Sequence, residues 1–122
     1  MSTDSNKFTV TRSMALNKEQ QGAIVGLKGF MEGKIKHLES DTTYVLGRDS
    51  SQCDILVKGA AVSRVHCRVT YDSEEKDYIV YDESKNGTIV DGASKLPKYK
   101  EVRMKGGRRL WIGDDENEII LG

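Results

Sequence analysis

The chain consists of many short apolar or alternating runs separated by glycine, asparagine, aspartate or serine. Residues 65–71, VHCRVTY, alternate apolar and polar side chains with the two-residue period of a strand. The turn dipeptides Asn86-Gly87 and Asp91-Gly92 flank a β-branched run, which predicts a short strand with a tight reversal at each end. This spacing predicts ten or eleven strands and no helix, and hence an all-β, antiparallel β-sandwich. The runs are 23–29, 31–39, 42–48, 53–57, 65–71, 78–82, 87–90, 101–104, 108–113 and 118–122.

The chain divides into two parts. Residues 1–21 mix serine, threonine, asparagine and charged side chains, and their apolar residues follow neither the strand nor the helix period. That texture is typical of a flexible tail or linker, in which Thr3, Thr9 and Thr11 are candidate phosphorylation sites. A chain of 122 residues with 37% hydrophobic content supports one core, so residues 22–122 are predicted to form a single domain.

The charge of the chain argues against several classes of partner. Lys+Arg and Asp+Glu number 19 each, whereas a nucleic-acid binder usually carries a basic excess. Residues 95–109 hold seven basic side chains and one acidic, a bias more typical of a solvated loop face than of a polyanion site. No apolar run approaches the roughly 18 residues that cross a bilayer, and no secretory signal opens the chain. We expect no nucleic-acid partner and no membrane contact from this segment.

Cysteine usage indicates a reducing environment. The chain has two cysteines, Cys53 and Cys67, and neither a CxxC motif nor a cluster of His and Cys at zinc spacing. We therefore predict no metal site and no cofactor, and we expect the cytoplasm or another reducing intracellular compartment. The alternation in residues 65–71 directs Cys67 toward the core, where a thiol acts as a small apolar group, and directs His66 away from it.

Three short segments place arginine, hydroxyl and amide side chains on turns between the predicted strands. They are residues 47–54, GRDSSQCD, residues 63–66, SRVH, and residues 84–92, SKNGTIVDG. Loops on a rigid β scaffold are where binding residues concentrate. A phosphorylated side chain brings a dense negative charge and several acceptor oxygens, which donors of these kinds recognise. The three segments together predict a phosphate-recognition site.

Each of these residues also has a simpler explanation. The planar guanidinium of Arg48 can donate two hydrogen bonds to a phosphate, yet an exposed arginine is common. Ser63 can donate its hydroxyl to a phosphate or simply begin a strand. Asn86 can direct its amide at a peptide backbone, and Asn-Gly is equally the preferred pair of a type I′ turn. Lys85 can add an ammonium or be an ordinary surface lysine.

Catalysis is not predicted. Ser63 and His66 suggest a nucleophile and a base, but no G-x-S-x-G elbow surrounds the serine, and nearness in sequence is not triad geometry. No paired carboxylates or metal cluster has the required spacing. We expect His66 to be a neutral hydrogen-bonding brace that fixes the loop.

The order and spacing of the three segments resemble the forkhead-associated (FHA) domain family over about residues 22–122. The resemblance implies an eleven-stranded β-sandwich that binds phosphothreonine peptides at loops on one end, in signalling by serine/threonine kinases. Lys85 departs from the Ser, Thr or Arg that the family often has, and Asp91 departs from its Asn. The segments that carry the resemblance are Gly47-Arg48, Ser63-Arg64-Val65-His66, Ser84-Lys85-Asn86-Gly87-Thr88 and Asp91-Gly92.

The resemblance also implies a role for each residue. Arg48 and Ser63 would contact the phosphate, with Arg64 and Lys85 beside it. Asn86 would hold the peptide backbone on the carboxyl-terminal side of the phosphothreonine. The expected function is a non-enzymatic module whose partner is a phosphothreonine-containing protein or peptide, and the phosphorylated tail of the same chain is a second candidate partner. The alternative is a phosphate-independent interaction or scaffold domain with the same fold. The remaining motif residues would be structural, namely Gly47, His66, Gly87 and Thr88.

Overall fold

The structure is a computed structural model that describes residues 22–122. That part of the chain forms eleven strands and one 3-10 turn, Gly29–Met31, with no α-helix, which confirms the all-β prediction. The predicted tail, residues 1–21 with Thr3, Thr9 and Thr11, lies outside the described residues. The strands are β1 (Gly22–Lys28), β2 (Ile35–Leu38), β3 (Thr43–Gly47), β4 (Ile55–Leu56), β5 (Cys67–Asp72), β6 (Asp77–Asp82), β7 (Thr88–Val90), β8 (Ser94–Lys95), β9 (Glu101–Met104), β10 (Arg109–Ile112) and β11 (Glu118–Leu121).

Two sheets form the sandwich. One has six strands in the order β2-β1-β11-β10-β7-β8, and the other has five in the order β4-β3-β5-β6-β9. Neighbouring strands are antiparallel except for β3 and β4, which run parallel with Leu46 opposite Ile55. The predicted antiparallel sandwich is confirmed, with this one parallel pair inside it. Residues 48–54 lead back along β3 before β4 begins, where the Asp54 N–H donates to the Val45 carbonyl at 2.8 Å.

The core fills the space between the sheets, and alternation along the strands supplies it. In β5 the buried residues are Cys67, Val69 and Tyr71, as the two-residue period predicts. Leu110 and Leu121, on β10 and β11, face them from the six-stranded sheet and are fully buried. Burying each such side chain contributes about 1.5–3 kcal/mol, so the interleaved core is the main source of stability.

Backbone dihedral angles distinguish the two predicted tight turns. Asp91 has a φ of 53° and Gly92 a φ of 69°, the pair of positive values that a type I′ hairpin requires, and the chain reverses there from β7 into β8. In the other dipeptide only Gly87 is left-handed, with a φ of 97°, while Asn86 is not among the residues with positive φ. The type I′ explanation of Asn86-Gly87 is therefore wrong. The segment links β6 in one sheet to β7 in the other, so it does not close a hairpin.

The strands give the sandwich two distinct ends. β3 and β6 both run toward one end, where they finish at Gly47 and Asp82, and β5 begins there. Gly22 lies at the other end, beside Tyr71, and the chain also finishes there, because the Gly122 N–H donates to the Ala23 carbonyl at 2.8 Å. We call the first the loop end and the second the terminal end.

Candidate functional site

Three loops meet at the loop end and bring the predicted site residues together. The loop after β3 carries Arg48, the loop before β5 carries Ser63, and the loop between β6 and β7 carries Asn86. The first two loops extend the β3–β5 pairing, since the Arg48 N–H donates to the Ser63 carbonyl at 3.1 Å and the Asp49 N–H to the Arg64 carbonyl at 3.2 Å. The site is therefore held by backbone pairing continuous with the sheet.

Arg48 is exposed, and its backbone neighbours fix its direction. Its Nε donates to the Val62 carbonyl at 2.9 Å, which ties the base of the guanidinium to the loop that carries Ser63. The two terminal nitrogens have no partner among residues 22–122. A planar guanidinium anchored through Nε presents those nitrogens as a fixed fork, which matches two oxygens of a phosphate or carboxylate.

Ser63 has its hydroxyl oriented by the neighbouring loop. The Lys85 N–H donates to Ser63 Oγ at 2.9 Å, so this oxygen already accepts one hydrogen bond. A hydroxyl that accepts through one lone pair still has its proton to donate. Ser63 is half-buried, and it lies directly beside the Arg48 backbone. The hydroxyl proton is thus available for an anion next to the Arg48 fork.

Asn86 is exposed and has one half of its amide fixed. Its Nδ2 donates to the Ala61 carbonyl at 3.1 Å, which joins the β6–β7 loop to the loop before β5. Fixing the amide nitrogen also fixes the oxygen, which has no partner among residues 22–122. A free carbonyl oxygen at the surface can accept a hydrogen bond from the N–H of an extended peptide.

His66 is fully buried, which corrects the prediction that it faces away from the core. The alternation was extended two positions too far toward the N-terminus, because β5 begins at Cys67 and Val65 and His66 still belong to the loop. Its Nδ1 accepts from the Ser63 N–H at 3.1 Å, and Nε2 lies 2.9 Å from the Gly87 carbonyl. A carbonyl only accepts, so the ring is the neutral tautomer with its proton on Nε2. Burial lowers the pKa of His66, against smaller opposing effects of the Gly87 hydrogen bond and the Asp82 charge.

A buried polar cluster supports the β6–β7 loop from below. Asp82 Oδ1 accepts from Ser84 Oγ at 2.7 Å and from Thr88 Oγ1 at 3.0 Å, and all three residues are buried. Ser84 Oγ in turn accepts from the Gly87 N–H at 2.8 Å. Asp82 Oδ2 is buried with no hydrogen-bond partner in the described part of the chain. The cluster fixes both ends of the turn that presents Asn86.

Close contact with the backbone of the loop before β5 explains why residue 47 is a glycine. A Cβ at this position would lie 2.1 Å from the Arg64 carbonyl oxygen, so no other residue fits without moving the loop before β5. The thiol of Cys53 lies in the same place and donates to the same carbonyl at 3.0 Å. Both cysteines are free thiols. Burial raises the pKa of the Cys67 thiol to about 12, and it raises the pKa of Cys53 as well.

Positive charge is concentrated around the Arg48 fork. Arg64 and Lys85 are exposed, and neither has a carboxylate partner among residues 22–122. The nearest acidic side chain, Asp49, is occupied by its own turn. It accepts from the Ser51 N–H at 2.9 Å and from Gln52 Nε2 at 2.7 Å. The Gln52 hydrogen bond, followed by those of Ser51, lowers the pKa of Asp49 to about 2.

Two structural residues of this end were missed by the sequence analysis. Asp82 stands two residues before Ser84, a spacing typical of an aspartate that accepts from a turn, and that signal was available. Asn117 is buried and joins distant segments, since its Nδ2 donates to the Lys58 carbonyl at 3.1 Å and its Oδ1 accepts from the Phe30 N–H at 2.8 Å. Its partners are so far away in sequence that no local pattern indicates them.

Among residues 22–122, no helix is long and apolar enough to span a membrane. In the same part of the chain, no group of three His, Cys, Asp or Glu residues is placed to hold a metal ion.

The fold agrees with the comparisons with known proteins. A model of the FHA domain family matches residues 44–113, which is more than half of the chain and contains every site residue described above except Asn117. The chain belongs to the FHA domain family.

Individual relatives agree with this assignment. FHA domain-containing protein FHA2 of Arabidopsis thaliana is 31% identical over 83 residues, which are 63% of this chain and 26% of that protein. The solution structure of the FHA domain of an Arabidopsis thaliana hypothetical protein has a TM-score of 0.73 at 25% identity and covers 84% of each chain. The chain spans less than half the length of the curated relatives it matches.

A more distant neighbour contains a ligand. The N-terminal FHA domain of Saccharomyces cerevisiae Rad53p, solved in complex with a phosphothreonine peptide, has a TM-score of 0.65 at 19% identity. The similarity covers 83% of this chain and 90% of that one. At this identity the likeness shows the fold.

Proposed function

We propose that the loop end binds phosphothreonine in a protein or peptide, and that this binding is the function of the domain in serine/threonine kinase signalling. Arg48 and Ser63 contact the phosphate, with Arg64 and Lys85 adding positive charge beside it. The amide oxygen of Asn86 accepts from the peptide backbone. Gly47, His66, Gly87 and Thr88 hold the loops in place.

One observation supports this proposal most strongly. The Arg48 fork and the Ser63 hydroxyl are adjacent, each is oriented by a hydrogen bond to a neighbouring loop, and each still has a donor to give. Paired donors of this kind, one charged and one neutral, suit a group with three strong acceptor oxygens and nearly two negative charges. Because both donors are held before the ligand arrives, binding costs little side-chain entropy.

The second candidate is a scaffold domain that binds its partner without phosphate. Phosphate recognition is favoured over it, because a scaffold has no need of adjacent, oriented donors that lack partners among residues 22–122. Catalysis is not part of the proposal. The His66 ring accepts from the Ser63 N–H and not from Ser63 Oγ, so it is not placed as a base for the serine hydroxyl. We also propose that the domain works in a reducing compartment, where Cys53 and Cys67 remain thiols.

A degenerate peptide library tests the proposal. The domain is screened against peptides with phosphothreonine at a fixed position, with matched sets that carry phosphoserine and unmodified threonine. We expect enrichment of the phosphothreonine set. Equal capture of the phosphorylated and unmodified sets would overturn the proposal in favour of the scaffold domain.

A further inference from the structure

Lys95 lies against the turn that presents Asn86. It is the last residue of β8, and its aliphatic stem packs over Gly87 so closely that a Cβ on Gly87 would lie 2.3 Å from Lys95 Cε. The ammonium nitrogen is bonded to that carbon, so its positive charge is held over Gly87. The absence of a side chain at Gly87 is what makes room for the lysine.

The position of Lys95 relative to the phosphate site follows from three loop contacts. Ser63 contacts the backbone of Lys85. The next residue, Asn86, contacts Ala61. The residue after that, Gly87, contacts Lys95. Lys95 therefore lies against the residue that follows Asn86, two residues along the same loop from the backbone contact of Ser63.

Lys95 is available to a ligand. It is exposed, and no carboxylate among residues 22–122 pairs with it. Glu83, the acid on the same loop as Gly87, is paired elsewhere, since its Oε2 lies 2.5 Å from Arg68 Nε. The packed stem means that little rotamer freedom remains to be lost on binding, unlike an ordinary surface lysine.

An acidic turn lies near Gly87 on the β10 side of β7, whereas Lys95 lies on the β8 side. The Gly113 N–H donates to the Gly87 carbonyl at 3.0 Å, and it introduces the exposed residues Asp114, Asp115 and Glu116. A carboxylate on the peptide is repelled on that side and attracted on the Lys95 side. Asp114 Oδ1 accepts from the Glu116 N–H at 3.0 Å, so this carboxylate is held within its own turn, while the Lys95 ammonium has no partner among residues 22–122.

We propose that Lys95 is a specificity-determining residue, which selects peptides with an acidic side chain on the carboxyl-terminal side of the phosphothreonine. This inference rests on the proposed function, because it assigns the direction in which the bound peptide runs. It assigns a binding role to one lysine of residues 95–109, the basic stretch that the sequence alone explained as a solvated face.

The experiment uses phosphothreonine peptides with a single aspartate or lysine at each successive position after the phosphothreonine. Affinities are measured for the wild type, Lys95→Glu and Lys105→Glu. The last is a control with the same change of charge at the terminal end, since Lys105 follows Met104, which pairs with Tyr78 at the start of β6. Thermal melts of all three check the fold.

At one position the wild type should prefer the aspartate peptide by about two- to fivefold, the range expected for one exposed ion pair. Lys95→Glu should reverse that preference, and Lys105→Glu should keep it. An unchanged preference in Lys95→Glu, or the same reversal in both variants, would overturn the inference while leaving phosphate recognition intact. A wild type that does not distinguish phosphorylated from unmodified peptide would instead overturn the proposed function, and this inference with it.

Discussion

At the scale of single residues, one imidazole joins the two loops that carry Ser63 and Gly87. His66 accepts from the first and donates to the second, and neither contact involves the exposed surface. Replacing it with alanine leaves the part-buried Ser63 N–H without its partner and removes one of the two hydrogen bonds to the Gly87 carbonyl, the other being from the Gly113 N–H. This should cost about 1–3 kcal/mol of the free energy of unfolding. Thermal and urea melts of His66→Ala measure this loss.

The other histidine provides the control. His37 is exposed on β2, so His37→Ala should melt like the wild type. If His66→Ala also melted like the wild type but no longer bound peptide, the imidazole would be a ligand rather than a brace.

The same residue predicts a pH dependence of stability. Burial lowers the pKa of His66 in the folded state below the value of about 6.5 expected for the unfolded chain. The unfolded state therefore binds more protons at mildly acidic pH. Stability should be complete above the unfolded pKa and should decrease as the pH falls through it toward the folded pKa. Urea midpoints between pH 7.5 and about 5 measure this effect.

Three carboxylates with lowered pKa values titrate outside the pH range in which His66 is measured. Asp49, Asp72 and Asp91 have pKa values lowered by hydrogen bonds, from Gln52, Glu75 N–H and Arg109 N–H respectively, so their effects appear at more acidic pH. His66→Ala should lose the dependence between pH 7.5 and about 5, and His37→Ala should retain it. A slope of equal size in both variants would contradict a role for the buried imidazole.

At the scale of elements, two asparagines separate binding from loop support. Asn86 is exposed, and its amide oxygen has no partner among residues 22–122. Asn117 is buried and joins the loop after β4, the loop after β10 and the 3-10 turn. Asn117→Ala should lower the free energy of unfolding by about 1–3 kcal/mol through unpartnered backbone groups. Asn86→Ala should leave the melting temperature nearly unchanged and weaken phosphopeptide binding.

Melts and peptide titrations of both variants test this separation. Equal loss of stability in the two would mean that the Asn86 amide is a loop brace like Asn117.

The sequence predicted the elements that depend on local chemistry. Alternation located β5, the turn-bounded run 78–82 located β6, and Asp91-Gly92 predicted a hairpin that the structure forms with both φ values positive. Local patterns did not predict the elements whose position is determined by tertiary contacts. The two-residue strand β8 consists of Ser94 and Lys95, which have no strand pattern and pair only because β7 is beside them. His66 was assigned to the wrong face because the alternation of apolar and polar residues does not show at which residue a strand begins.

The candidate site follows the same division. Arg48, Ser63 and Asn86 stand on turns, and their loops could be expected to meet once the family resemblance supplied the topology. The contacts that orient these side chains could not be predicted from the sequence, because each joins residues on different loops. Examples are Arg48 Nε with the Val62 carbonyl and Asn86 Nδ2 with the Ala61 carbonyl.

At the scale of the whole molecule, the terminal end and the loop end lie at opposite sides of the sandwich. Gly22 is at the terminal end, and a six-residue strand such as β6 spans about 20 Å between the two ends. Thr11 precedes Gly22 by 11 residues, which reach at most about 36–40 Å when fully extended. Occupation of the site by phosphorylated Thr9 or Thr11 stays a prediction, and the maximum reach of this segment exceeds the distance between the two ends.

The most direct test of phosphate recognition is isothermal titration of one phosphothreonine peptide into the wild type, Arg48→Ala and Arg48→Lys. Arg109→Ala is the control, because Arg109 is an exposed arginine at the start of β10, away from the loop end. A hydrogen bond to a charged group contributes about 1.5–3 kcal/mol. Arg48→Ala should therefore lose about ten- to a hundredfold in affinity with little change in melting temperature.

Arg48→Lys should recover part of the affinity, because it restores the charge but not the planar fork. Arg109→Ala should bind like the wild type, and the wild type should bind the unphosphorylated peptide far more weakly than the phosphorylated one. Equal affinity of the wild type and Arg48→Ala for the phosphorylated peptide, or equal affinity of the wild type for both peptides, would contradict phosphate recognition at the loop end.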